Sequence, residues 1–309
     1  MRAKILFLSQ NGQFREDSRL AQQALSELAL AFSHSFVMRE MELTEDLTAV
    51  QVMQAVQDQD AVILSADRDT LKEAAWKLGV YARSVKTSPV MLPELSRLRS
   101  GAAPCALLIS PVGESASSLN KAAVLACALA KKSKADLFYI PKEPKEDWQN
   151  ELNKAAMYAA LPAPVSDNTD GMLSRLLYDD KRNPAIVAPG DEERFLRNLL
   201  IYLSGTENLV HQNLYAENRV FQAVSPLRTD RKIPLFSILF ATVDAVRYAL
   251  KLEREADCLM TVISNVLSSG WRTNEFPDAS GDKLISEDEV LDLIAQQVQL
   301  AGELYERLG

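Results

Sequence analysis

The chain has 309 residues, 47% of them hydrophobic and 25% charged, which is enough apolar material to bury one or two cores. Its net charge of -8 argues against nucleic acid and anionic membranes as partners. The apolar run Ile5-Leu6-Phe7-Leu8 is too short for a signal segment or a membrane span, and Cys105, Cys127 and Cys258 are odd in number, far apart and set among apolar neighbours, so reduced core thiols in a cytoplasmic protein are expected.

Taken in order, Ile5-Leu6-Phe7-Leu8 predicts a buried strand, and Gln10-Asn11-Gly12 a turn into a helix from Ser18 to about Phe32. Phe36-Val37-Met38 and residues 61–66 are further strands, with helices near 47–58 and 71–78 between and after them. This βαβαβ alternation predicts a largely parallel sheet. A strand over 80–85 precedes residues 89–104, where Pro89, Pro93, Gly101 and Pro104 punctuate a crossover of the kind found between domains.

Beyond it lie a strand over 105–110, a helix over 117–131, a strand over 137–140 and the charged run Lys142 to Asp147. Residues 185–189 form an apolar strand, and Asp191, Glu192 and Glu193 after it suit a helix N-terminus. Another strand covers 219–224. Residues 235–250 are apolar on almost every side, with only Asp244 and Arg247 strongly polar, and predict a buried helix. A charged turn, 251–255, separates it from an amphipathic helix over 256–267 that ends at Gly270, a residue suited to a left-handed cap. Ser286-Glu287-Asp288-Glu289 is a capping box opening the last helix. His34 and His211 are isolated in sequence, with neither a triad nor a metal context.

The order buried helix, Arg247-Tyr248, charged turn, helix and then Asn265-Val266-Leu267-Ser268-Ser269-Gly270-Trp271-Arg272-Thr273 resembles the C-terminal part of isocitrate and isopropylmalate dehydrogenases, the metal-dependent, NAD(P)-linked β-decarboxylating dehydrogenases. The resemblance implies a two-lobed α/β fold with a largely parallel sheet in the lobe formed by the N- and C-terminal parts. It implies a first lobe of residues 1–98 plus 207–309, and a middle lobe of 99–206 through which such proteins dimerise.

It also implies a set of functional positions, and many of them are changed. The glycine-rich first turn keeps only Gly12. Tyr81-Ala82-Arg83 resembles the strand that offers an arginine to the substrate carboxylates, but Arg83 stands where the family has asparagine, an offset that redirects its side chain. The arm bearing the catalytic tyrosine is missing between 105–110 and 117–131. Lys142 falls near the catalytic lysine, although Glu143 and Glu146 would keep it protonated.

Asp170 in Thr169-Asp170-Gly171 corresponds to one metal carboxylate, whereas the other two positions become Arg194 and Asn198, so the Mg²⁺ or Mn²⁺ site reads as broken. The cofactor loop, 225–234, has lost its histidine and glycines; Arg228, Arg231 and Lys232 remain for phosphate and Asp230 for a ribose hydroxyl, with Arg228 and Asp230 the candidate contacts to NAD or NADP. The leading expectation is a relative that has lost oxidative decarboxylation and acts by binding, as a regulatory or structural partner or a nucleotide sensor, alone as a homodimer or with an active relative. The alternatives are an NAD(P)-dependent dehydrogenase of a 2-hydroxy acid with a rearranged site that uses Asp170, and different chemistry on the same scaffold.

Overall fold

The computed structural model describes residues 1–309 except 11, 13, 100, 114, 179–182, 227–231, 277–282 and 309, with only the backbone of 305–308. The chain forms two compact units, one of residues 1–79, 211–213 and 218–309, the other of 80–210 and 214–217.

In the first unit, β1 (Arg2–Ser9) lies between β2 (Ser35–Glu42) and β3 (Ala61–Ser65), and β10 (Arg219–Val224) continues the sheet beyond β3, all parallel. β3 is buried along its whole length and β1 from Ile5 onward, as expected of parallel strands covered on both faces, whereas the edge strand β2 has no buried residue. The first helix, α1 (Phe14–Ala31), begins four residues before the expected Ser18, placing Glu16 and Asp17 in its opening turn. α2 (Ala49–Gln57) is closed by a Thr48–Gln51 capping box, and α3 (Arg68–Lys77) by Asp67 accepting from the amides of Asp69 and Thr70.

α8 (Leu235–Asp244) is buried from Leu235 to Val243, as its all-round apolar pattern predicts. It does not run on as α-helix to residue 250; Ala245–Ala249 form a π-helical turn, closed by Leu250 N–H to Ala245 O at 3.0 Å. The wider turn carries Asp244 and Arg247 to different partners, the one a buried histidine and the other Asp257 at 2.7 Å. α9 (Glu253–Ser268) starts earlier than expected because Glu253 and Glu255 suit its first turn.

Past the end of α9, Gly270 has φ +81°, and the Arg272 side chain, 1% exposed, donates back to Leu267 O and to Trp271 O. The run that carries the sequence resemblance therefore works locally as a C-terminal cap. The last helix, α10 (Glu287–Leu308), packs along α1 at a point where a methyl group on Gly302 would fall 2.5 Å from Ala31 O.

In the second unit the strand order is β4 (Ala82–Lys86), β5 (Leu107–Pro111), β8 (Ala185–Val187), β6 (Leu137–Tyr139), β7 (Val165–Ser166). β4 is antiparallel to β5, and the other pairs are parallel. Ile109 and Val187 pack with α4 (Ala116–Ser133) and α5 (Lys145–Ala159). Their strand neighbours Leu108, Ile186 and Ala188 point the other way, into α6 (Thr169–Tyr178) and α7 (Gly190–Ser204), so period-two alternation builds a helix–sheet–helix sandwich. α5 and α6 were not among the expected helices. Ser96 and Arg97 pack on the end of α7, where Arg97 pairs with Glu207 at 2.7 Å and stacks on Tyr202 at 4.1 Å. β9 (Gln212–Ala216) contributes residues to both units.

Candidate functional site

The C-terminal ends of β5, β8, β6 and β7 lie along one edge of the second unit. Helices leaving the adjacent strands β5 and β8 go to opposite faces, α4 to one and α7 to the other, which is the arrangement that opens a crevice for ligands in α/β sheets. Arg83 is at this edge through its pairing with Ser110 at the end of β5. Its guanidinium reaches Glu193 at 2.5 Å and Gly190 O at 3.4 Å. Glu193 is 1% exposed and also faces Arg197 at 3.6 Å, so one buried carboxylate is held between two arginines.

Thr169 at the start of α6 donates to Glu192 in the first turn of α7 at 2.6 Å, joining the two helix N-termini. Arg175, donating to Asp167 at 2.8 Å, holds that carboxyl below the usual range. The positions singled out from the resemblance are only partly gathered here. Asp170 is exposed, one residue past the Thr169 contact, and Lys142 is exposed beyond β6 on the same edge. Arg194 pairs with Asp191 at 2.9 Å, and Asn198 is exposed on α7.

A hard divalent cation needs several oxygen ligands. Asp170 beside an arginine and an asparagine does not supply them, so these residues do not fit the family's metal. Between the end of β5 at Pro111 and the Ser115 cap of α4 there are three residues, 112–114, which leaves no length for the catalytic-tyrosine arm.

Arg228 and Asp230, the candidate cofactor contacts, lie outside the described residues, as does Arg231. Lys232, the next residue, is held by both oxygens of Glu287 at 2.9 and 2.8 Å. Around it stand two more acids that the sequence reading did not single out. Glu275 accepts from Thr273 Oγ1 at 2.9 Å and from the Leu235 amide at 3.3 Å, and burial raises its pKa. Asp17 on α1 is fully buried, and among the described residues neither carboxyl oxygen has a hydrogen-bond partner. Nothing local marks these three carboxylates as neighbours, since they come from residues 17, 275 and 287.

His211 and His34, isolated in sequence, each meet a carboxylate in space. His211 Nε2 is 2.7 Å from Asp244, which also accepts from Asn213 at 2.7 Å, and Gln222 donates to Asn213 at 3.2 Å. Burial opposes the charge on Asp244, but His211, Asn213 and Arg247 outweigh it and lower its pKa. Tyr248 next to this group is pushed up to about 12 by burial and by the Asp244 charge. His34 Nε2 lies 3.0 Å from Glu255. Isolation in sequence conceals both pairs, because the partners are 33 and 221 residues away, beyond any local pattern.

Among the described residues, no group of three or more histidine, cysteine or acidic side chains is arranged for a metal ion, and no helix is long and apolar enough to cross a membrane. A scan against protein-family models finds no match to the sequence, nor does a search of curated proteins.

Solved structures do match. The TT0538 protein of Thermus thermophilus superposes with a TM-score of 0.76 at 13% identity, over 96% of this chain and 68% of the other. A β-decarboxylating dehydrogenase from Thermococcus kodakarensis, in its apo form, gives 0.75 at 12% identity over 98% of each chain. Given a mostly parallel α/β architecture that follows this dehydrogenase from end to end, the chain has an isocitrate/isopropylmalate dehydrogenase-like fold.

Proposed function

We propose that this chain uses a dehydrogenase fold for binding, without metal-dependent oxidative decarboxylation, as a regulatory or structural partner or as a nucleotide sensor. The observation that carries the reading is the Arg83 guanidinium, which is committed to the buried Glu193 carboxylate and so is not offered to a substrate acid. Arg194 and Asn198 at the positions of metal carboxylates support it. Decarboxylation of a 2-hydroxy acid with hydride transfer needs a polarised carbonyl and a proton relay, and the residues described on this edge provide neither.

On this reading Arg228 and Asp230 meet the nucleotide, NAD and NADP being the first to test, and residues 99–206 supply the surface for a homodimer or for pairing with an active relative in the cytoplasm. Two measurements test it. The purified chain should give no chelator-sensitive reduction of NAD or NADP with 2-hydroxy acids, and such turnover would overturn the loss of chemistry. A rise in melting temperature with a nucleotide would identify the sensor role. If no nucleotide gives a rise, the search moves to protein partners.

A further inference from the structure

Four segments of the first unit meet at Asp17: its own helix α1, the Lys232–Leu235 approach to α8, the turn Thr273–Glu275 and the first turn of α10 at Glu287. Among the described residues they bring Asp17, Glu275 and Glu287 around Lys232, with Glu16 next to Asp17 in the chain. That lysine already spends its charge on both oxygens of Glu287, and Glu275 is occupied by Thr273 and the Leu235 amide. Asp17 is left fully buried with two unpartnered oxygens. A buried carboxylate whose oxygens accept no bond from the protein is costly to keep charged. A neutral carboxylic acid costs far less.

We propose that Asp17 is a proton-linked latch, whose buried carboxyl stays protonated in the closed junction of α1, α8, the Thr273–Glu275 turn and α10, and whose deprotonation loosens that junction. This inference is independent of the proposed binding role. Burial, acting first, with Glu287, Glu275 and Glu16 against the lowering effect of Lys232, takes the Asp17 pKa from 3.8 to about 7. The folded state therefore binds a proton that the unfolded chain has already released. Stability falls as pH rises from about 4 through about 7 and levels off above it.

The test is a carboxyl-carbon NMR titration of Asp17 in the full chain, with amide exchange read at Leu235 and in the first turn of α10. Asp17 should titrate near neutrality, and exchange at these amides should rise over the same interval. Glu287→Gln removes a repelling charge and frees Lys232, so the midpoint should drop by roughly tenfold in proton affinity; Lys232→Met should move it up. In Asp17→Asn the exchange step should vanish. Titration of Asp17 in the ordinary carboxylate range, a midpoint indifferent to both charge variants, or an exchange step retained in Asp17→Asn would each overturn the latch. If Asp17→Asn does not fold, the wild-type titration and the two charge variants decide it.

Discussion

Asp17 and Asp244 are both buried acids of the first unit, and they end in opposite states. Asp244 accepts from His211 and Asn213 and has Arg247 close by, so its charge is favoured in spite of burial. Among the described residues, Asp17 has three acids near it and no donor, and the nearby cation Lys232 is engaged with Glu287. Depth alone does not decide what a buried carboxyl does; the donors pointed at it do. Glu193, in the second unit, likewise has donors pointed at it, from Arg83 and Arg197.

The comparison can be broken most severely at Glu193. Replacing it by Ala leaves two arginines facing a buried void, and urea unfolding at neutral pH should show a loss of about 3–5 kcal/mol. Asp17→Asn should act with the opposite sign. It should be close to neutral near pH 4 and stabilising at alkaline pH, by a ceiling of about 4 kcal/mol that follows from a shift of about three units.

Asp244→Asn keeps the shape but not the charge, and a loss of about 2 kcal/mol at neutral pH is expected as His211 and Asn213 lose a charged acceptor. Because the Asp244 pKa is lowered, its contribution is present above the unfolded value and is lost as pH falls, so the difference between wild type and variant should shrink in acid. The smallest effect belongs to Asp67, an acid at a helix N-terminus. Burial raises its pKa, but bonds from Thr70, Gln10 and Asp69 outweigh that and lower it, and Asp67→Ala should cost about 1 kcal/mol in thermal unfolding at neutral pH, less in acid.

What the sequence made legible follows the range of the forces involved. The parallel strands show as continuous apolar runs because both of their faces are covered, and α8 shows because every side of it is. The run around Gly270 and Arg272 is readable because a cap needs a particular residue at a particular place, a positive φ at one and a long donor at the other. The π turn after Asp244 was not readable, since its sequence continues the apolar helix and only the partners of Asp244 and Arg247 distinguish it. For the candidate site, Arg83 was found, but its commitment to Glu193 was not, the two being 110 residues apart. Asp17 gave no signal at all. An acid in a first helical turn looks like a dipole partner until the charges around it are known.

The close approach of Gly302 to Ala31 has a consequence for synthesis on the ribosome. The first unit needs both α1, made before residues 80–210, and α10, made after them, so its core stays incomplete until that whole intervening stretch has been translated. The second unit draws on residues 80–210 and 214–217, and can close its sandwich while α10 is still unmade. Emerging nascent chains should therefore become protease-resistant first within residues 80–210, with the strands β1 and β3 waiting for α10.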